Sequence, residues 1–256
     1  MNIFSKLTII IPTFYPGKII KKCLASLPKN SEIIIVDNGN DSEFEKNAIK
    51  NLITTLNMYP NAGIIAPLIY EKGRYSKYDS LDLSLNKFGK VINKKRQKKI
   101  YNVPSGNFCV EAINATAMLF KKSFIKKIKG WDENIYTYHE DIDLCVKARK
   151  NNYQIIKSSG AVVHHIGFGS HKKENKEKAE RSRNWHYCWS SLYFKDKYSS
   201  KIDFIIFYLQ QLIKYFLKTI LNFLTFRRKK LIFNFMRFRA CLNYLVIKKS
   251  SYRLKI

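Results

Sequence analysis

Short apolar runs and stretches of helical periodicity alternate along the first part of this 256-residue chain. Residues 7–11 (LTIII) and 32–36 (EIIIV) are β-branched runs that end at Pro12 and Asp37, and such runs predict buried parallel strands. Between them, residues 18–27 repeat apolar positions at helical spacing. Strand, helix and strand in this order form a βαβ unit. The pattern therefore predicts an α/β fold with a mainly parallel sheet.

The alternation of helices and strands continues to residue 183. Residues 44–58 have the apolar spacing of a helix. Asp41 or Ser42 is the predicted N-terminal cap of this helix, because Glu45 lies three residues beyond Ser42, as in a capping box. Residues 71–105 are polar, basic and rich in tyrosine, which indicates an excursion over the surface. Further strands are predicted over 62–67 and 161–163, and further helices over 123–129 and 172–183. Between these helices, residues 131–149 are predicted to form an acidic loop that leads into a helix.

Residues 184–256 are predicted to form a separate region of basic amphipathic helices, following a first domain over 1–183. Residues 204–226 are apolar over a length that could span a bilayer. The polar residues in this segment fall near i, i+4 spacing and predict one polar stripe: Gln210, Gln211, Lys214, Lys218, Asn222 and Thr225.

The polar stripe favours a helix that lies in the membrane interface over one that spans the bilayer, because a lysine in mid-helix is costly in hydrocarbon. The basic run 227–230 follows directly and would bind the headgroups of an anionic membrane surface. Residues 231–246 repeat the apolar and basic pattern. The alternative is a helical hairpin that packs on the first domain or on a partner chain.

Composition narrows the classes of protein that the chain can belong to. Hydrophobic residues make up 46% and aromatic residues 14%, which is enough for a sizeable core and excludes a disordered or fibrous chain. The net charge of +28 suggests a polyanionic partner, or else a biased composition. The basic residues form no RNP, zinc-finger or helix-turn-helix pattern, so no nucleic-acid partner is expected.

The five cysteines are widely spread and form no C-x-x-C pair, which suggests reduced thiols in a cytoplasmic protein. The run 7–11 is too short for a secretory signal.

The densest cluster of reactive groups lies in residues 131–143, WDENIYTYHEDID. Glu140, Asp141 and Asp143 stand together where an aromatic stretch becomes a helix. Three carboxylates so close repel one another, so some must have a raised pKa, accept hydrogen bonds or pair with cations. Such a group can supply a catalytic base. It can also be a structural feature, since the helix dipole stabilises carboxylates at a helix N-terminus.

Two further groups of candidate residues follow predicted strands. His164 and His165 open a glycine-rich loop after the strand at 161–163, where imidazole can ligate a divalent metal or contact phosphate. A structural or surface role for this pair is the alternative. Pro12 and Asp37 end the first two strands, at the edge of a parallel sheet where ligands bind.

Taken in order, the motifs TIIIPTF, IIIVDNG, GWDENIYTYHEDIDLC and VVHHIGFGS resemble those of the family 2 inverting glycosyltransferases of the GT-A fold. The chain looks most similar to the rhamnosyltransferase-like branch, which builds bacterial surface polysaccharides. The resemblance covers roughly residues 6–171. It implies a Rossmann-like sheet and the transfer of a sugar from a nucleotide-sugar donor to a lipid-linked or polysaccharide acceptor, at the inner face of the plasma membrane.

The resemblance also implies roles for the candidate residues. Pro12, Thr13 and Asp37 fall where the family holds the nucleotide base and ribose. Asp141 falls on the carboxylate that deprotonates the acceptor hydroxyl, with Glu140 and Asp143 beside it. His165, or alternatively His164, falls where the family's histidine approaches a Mg²⁺ or Mn²⁺ ion bound to the diphosphate.

One segment of the family pattern is missing. The family places further strands and a D-x-D metal motif between the positions of Gly39 and Phe44, and here only Asp41 and Glu43 could stand in for that motif. We expect the deletion to leave a gap in the sheet or to rearrange it. The alternative function is therefore a catalytically impaired homologue that acts as a binding or scaffold protein.

Overall fold

The computed structural model describes residues 8–12, 32–36, 42–71, 83–85, 91–93, 106–113, 116–165, 176–246 and 250. These residues form a mixed α/β structure. The predicted helix over 18–27 and the predicted site residues Thr13, Asp37 and Asp41 lie outside them.

The described elements alternate through the first part of the chain and become entirely helical after residue 176. The strands are β1 (Thr8–Pro12), β2 (Glu32–Val36), β3 (Ser42–Phe44), β4 (Ala62–Glu71), β5 (Leu83–Leu85), β6 (Val91–Asn93), β7 (Phe108–Cys109) and β8 (Gln154–His165). The helices are α1 (Ala48–Met58), α2 (Lys122–Lys127), α3 (Glu140–Lys150), α4 (Lys176–Tyr198), α5 (Lys201–Leu224) and α6 (Arg228–Tyr244).

The strands predicted from the first two apolar runs form and pair in parallel as β1 and β2. A second sheet has β8 at its centre, with β4 parallel to it and with β3 and β7 antiparallel to it. The two short antiparallel strands occupy the edge of β8 that lies opposite β4. A single, mainly parallel Rossmann-like sheet is therefore not confirmed for the described residues.

The pairing of β4 with β8 breaks after Pro67, where the partner residue jumps from Ser158 to Val162. Proline has no backbone N–H to donate, so a bulge is where a strand tolerates it. The side chain of Lys157 is buried at this break, and its Nζ donates to the carbonyl oxygen of Pro67 at 3.0 Å.

The sequence pattern predicted a helix from residue 44, and this start is wrong for α1. Ser42–Phe44 pairs as β3 with Val163–His165 instead of capping a helix, and α1 begins only at Ala48. Asn47 precedes the helix with a φ of 68°, a left-handed conformation that asparagine adopts more readily than most residues. Strand pairing at the edge of β8 therefore prevails over the capping-box pattern.

Contacts between Cα atoms divide the chain into two units. The first comprises Met1–Ser84, Val91–Gly130 and Leu144–Ser170, and the second comprises Leu85–Lys90, Trp131–Asp143 and His171–Ile256. In the first unit, the apolar face of α1 (Leu52 and Leu56) packs on Ile65 of β4 and Ile156 of β8. Burial of these aliphatic side chains is the main stabilising term for this layer.

The second unit has its core between the last three helices. Trp185, Trp189 and Leu192 of α4 pack with Met236 and Cys241 of α6 and with buried tyrosines of α5. Because these apolar residues continue the helical spacing, α4 extends to Tyr198 and not only over the charged stretch predicted at 172–183. The division of the chain at residue 183 stays a prediction.

Candidate functional site

In the second unit, Asp132 is held by donors from two sides. The backbone N–H of Asn134 donates to Asp132 Oδ1 at 3.0 Å, which closes a local turn. Tyr193 Oη and Lys197 Nζ from α4 both donate to Asp132 Oδ2, at 2.9 and 2.6 Å. Burial alone would raise the pKa of Asp132, but the hydrogen bonds from Lys197, Asn134 and Tyr193 outweigh it and lower that pKa to about 2.

Asp143, in the first turn of α3, is fully buried. Lys197 Nζ donates to its Oδ1 at 2.6 Å, and Tyr198 Oη donates to the same oxygen at 2.7 Å. Lys197 therefore bridges Asp132 and Asp143. Burial alone would lower the pKa of Lys197, but its bonds to both carboxylates raise it, so the ammonium group of Lys197 stays charged at neutral pH.

Tyr138 and His139 hold a strained turn directly before α3. Their φ angles are 65° and 66°, in the left-handed region that non-glycine residues seldom adopt. Arg183 Nε donates to Tyr138 Oη at 2.8 Å, and His139 Nε2 lies 2.9 Å from Ser191 Oγ. Contacts to α4 thus fix the backbone that leads into the acidic residues.

Burial lowers the pKa of His139 to about 4, so its imidazole is neutral at physiological pH. The ring stacks on Phe194 with centroids 5.5 Å apart. A neutral, stacked imidazole beside three carboxylates cannot act as their counter-ion. Its role in this structure is to hold the turn.

Glu140 and Asp141 open α3 in contrasting environments. Burial, and then the neighbouring charge of Asp141, raise the pKa of Glu140 to about 8. Glu140 Oε2 is buried and has no hydrogen-bond partner among the described residues. Asp141 is partly exposed, and its Oδ1 accepts from the backbone N–H of Ile142 at 2.8 Å. A buried carboxyl group with a raised pKa and a partly exposed carboxyl group thus lie side by side, an arrangement suited to acid–base chemistry.

The predicted nucleotide-binding residues follow strands that end together. Pro12, the last residue of β1, lies opposite Val36, the last residue of β2. Thr13 and Asp37 come next in the two segments, outside the described residues. The backbone register therefore agrees with the expectation that these segments leave the sheet at one edge, and the roles of the three residues stay predictions.

The predicted metal ligands end β8 in the first unit. His164 Nε2 lies 2.7 Å from Glu45 Oε1, with both side chains about half exposed, and its ring lies 5.6 Å from that of Tyr70. The backbone of His165 lies opposite Ser42 and Glu71, but its side chain, like Asp41, is outside the described part of the chain. Within that part, no three His, Cys, Asp or Glu residues form a group that could hold a metal ion.

Sequence reasoning missed the partners of the carboxylates. Tyr193 and Lys197 are four residues apart, on one face of α4, so a helix with this face turned inward could have suggested paired donors. Asp132 lay within the acidic segment without being selected. Lys197 and Asp143 are 54 residues apart in the sequence. No pattern of neighbouring residues could predict a contact between positions so far apart.

No protein-family model matches the chain, and no curated protein matches it. Among solved structures, the chain is similar to GalNAc-T7 in its crystal structure with UDP, GalNAc and Mn²⁺. The two share 9% sequence identity with a TM-score of 0.40, and the match covers 76% of this chain and 48% of the GalNAc-T7 chain. The chain thus spans about half the length of GalNAc-T7, and the likeness is a distant one.

Proposed function

We propose that this chain is an inverting glycosyltransferase that moves a sugar from a nucleotide-sugar donor to a lipid-linked or polysaccharide acceptor in cell-surface glycan synthesis. The observation that carries the proposal is the set of three carboxylates at the start of α3. They stand within motifs whose order resembles that of family 2 enzymes, and each has a different environment. The expected location is the cytoplasm, at the inner face of the plasma membrane, where lipid-linked acceptors are presented.

In this proposal Asp141 is the catalytic base. It takes the proton of the acceptor hydroxyl while the acceptor oxygen forms a bond to the anomeric carbon. The bond from that carbon to the diphosphate oxygen breaks, and its electron pair leaves with the nucleoside diphosphate. Asp141 suits this role because it is partly exposed, whereas Glu140 is mostly protonated at neutral pH.

Asp143 is assigned a positioning role. It is fully buried and bonded to Lys197 and Tyr198, so a substrate cannot reach it without breaking both bonds. Through Lys197 it ties the first turn of α3, which carries Asp141, to Asp132. Such precision matters because a small misplacement of a catalytic group greatly slows a reaction.

The donor is proposed to bind where β1 and β2 both end, at their carboxyl ends, through Pro12, Thr13 and Asp37. Charge builds on the diphosphate as it leaves, and a divalent cation would neutralise it when bound. The described side chains do not supply a three-ligand set, and His164 is engaged with Glu45. The remaining predicted ligands, Asp41 and the side chain of His165, lie outside the described residues.

The test is the release of nucleoside diphosphate by the full chain from a panel of UDP-, GDP- and dTDP-sugars, with a lipid-linked or oligosaccharide acceptor. We expect Asp141→Asn to lower the rate by about 10²–10⁴-fold, because it removes the base. Asp203→Asn makes the same chemical change at an exposed position in the first turn of α5 and should leave the rate unchanged. Retained activity in Asp141→Asn would remove this residue from the mechanism. No release from any donor would favour the binding or scaffold function.

A further inference from the structure

Helix α5 exposes most of its aliphatic side chains and buries polar ones, which is the reverse of a helix in a water-soluble protein. Its most buried side chains are Tyr208, Tyr215 and Asn222, which follow one another at seven-residue spacing and all carry a polar group. Aliphatic side chains point away from the core instead. Ile202, Ile206, Leu209, Ile213, Leu217 and Ile220 recur at three- and four-residue spacing on one side and are 41–72% exposed. We call this surface the outer face of α5.

The outer face is too extensive to be a chance exposure of single residues. It runs from Ile202 to Leu224, which at about 1.5 Å per residue is about 33 Å of helix. Each Å² of apolar surface left in water is unfavourable by about 25 cal/mol, and continuous patches of this kind mark interaction surfaces.

The apolar surface continues onto α6 through a groove of about 550 Å³ between the two helices. Ile220 and Phe223 line it from α5, and Phe235 and Arg239 line it from α6. The groove could receive part of one hydrocarbon chain, with a guanidinium group at its wall. It extends the outer face without adding any acidic residue.

Positive charge borders the outer face along its length and at one end. Lys214 and Lys218 are exposed along one border. The basic run 227–230, which covers the end of the turn after α5 and the start of α6, is exposed throughout, and Lys229 in it lies 3.9 Å from Glu180. After Asp203 the sequence contains no acidic residue. At the turn itself Phe226 is 93% exposed, directly beside these cations. An apolar face edged by cations complements a surface with an apolar interior and anionic headgroups, which is a lipid bilayer.

The packing of α6 on α5 sets the orientation relative to such a bilayer. α5 is long and apolar enough to cross a membrane by length and composition. However, α6 runs antiparallel against it, with Phe216 and Phe238 rings 5.5 Å apart and Arg237 over the ring of Tyr215 at 5.5 Å. Immersing α5 would carry Arg237 and Arg239 into the hydrocarbon, which is costly.

We propose that the outer face of α5, with Phe226 and the basic run 227–230, docks in the plane of an anionic membrane surface. The aliphatic side chains enter the boundary between headgroups and acyl chains, and the cations bind the headgroups. This docking does not depend on sugar transfer, so it can be tested whether or not the chain is an enzyme.

The experiment is co-flotation of the full chain with vesicles of phosphatidylcholine, either alone or mixed with phosphatidylglycerol. We expect strong binding only to the mixed vesicles, weakened by salt. Ile213→Glu with Leu217→Glu should lower the partition coefficient at least tenfold, because it puts charge on the outer face (an order-of-magnitude estimate). Met58→Glu is the matched control, since it changes an equally exposed apolar residue on α1.

A second pair of variants isolates the charge. Arg228→Ala with Lys230→Ala should lower the partition coefficient about 25-fold, because each basic residue contributes about fivefold. Lys46→Ala with Lys50→Ala removes the same charge from exposed positions in the first unit and should have no such effect.

Three results would overturn the proposal. Equal binding to neutral vesicles would exclude recognition of anionic lipid, and resistance to alkaline extraction would indicate a spanning helix. A dimer in light scattering that becomes a monomer in Ile213→Glu with Leu217→Glu, without vesicle binding by the unmodified chain, would show that a second copy covers the face.

Discussion

The acidic segment 131–143 and the histidine end of β8 both carry candidate residues, and they hold them in opposite ways. In the acidic segment, Asp143 is fully buried and shares Lys197 with Asp132. At the end of β8, His164 and Glu45 form a single pair in which both side chains are about half exposed. One region therefore centres on a buried carboxylate whose cation is 26% exposed, and the other is a solvated surface pair.

This difference in burial determines how much each interaction contributes to the stability of the fold. Water screens an exposed pair and competes for its hydrogen bonds, so its contribution to stability is small. Around Asp143 water competes less, because that side chain is 0% exposed and its partner Lys197 is 26% exposed, so removing Lys197 takes a cation from a buried carboxylate. Substitutions in the two regions should consequently differ in size and in their dependence on pH.

The largest effect is expected from Lys197→Met. This change keeps most of the side-chain volume but leaves the buried Asp143 without its cation, and it also breaks the bond to Asp132. We expect the free energy of unfolding to fall by about 3 kcal/mol, measured by urea denaturation. Lys178→Met, at an exposed position of the same helix, is the control and should change it by less than about 0.5 kcal/mol. Equal effects of the two changes would show that the bridge contributes nothing special.

An intermediate effect that depends on pH is expected from Glu140→Gln. The pKa of Glu140 is raised from 4.5 to about 8, so the folded chain keeps a proton that the unfolded chain loses between these values. Because the unfolded chain releases this proton first, the free energy of unfolding falls as the pH rises from about 4.5 towards about 8. Glu140→Gln removes this loss, so thermal unfolding at about pH 8 should shift upward by at least about 2 °C relative to the unmodified chain.

The Glu140→Gln comparison also contains its own control. Well below pH 4.5 the side chain at position 140 is neutral in the folded and unfolded states of both forms, and their melting temperatures should nearly coincide. A difference between them that does not grow with pH would contradict the raised pKa.

The smallest effect is expected from Glu45→Gln in the first unit. This change breaks the pair with His164, but both groups then remain hydrated. The free energy of unfolding should change by less than about 0.5 kcal/mol in the same urea titration at neutral pH. A loss comparable to that of Lys197→Met would show that the histidine end of β8 is as interdependent as the acidic segment.

Local pattern was sufficient where the chain's own periodicity decides the structure. The β-branched runs predicted β1 and β2, and the apolar spacing predicted helices at α1, α2, α3, α5 and α6. It was insufficient at Ser42, where pairing with His165 in β8 prevails over helix capping.

The site divides in the same way. The acidic cluster is visible in the sequence because its members are neighbours, but Lys197 and Tyr198 reach it only through the packing of α4. The polar stripe of α5 was predicted as one feature, yet Asn222 is buried while Lys214 and Lys218 are exposed. Spacing identifies the faces of a helix, and only tertiary contacts decide which face turns inward.

The claim that this chain handles a nucleotide-sugar is tested most directly by titration calorimetry of the full chain with UDP, GDP and dTDP, each with and without Mn²⁺. We expect saturable binding of at least one nucleoside diphosphate. No heat with any of the three at millimolar concentration, from protein that unfolds cooperatively in the same buffer, would contradict it.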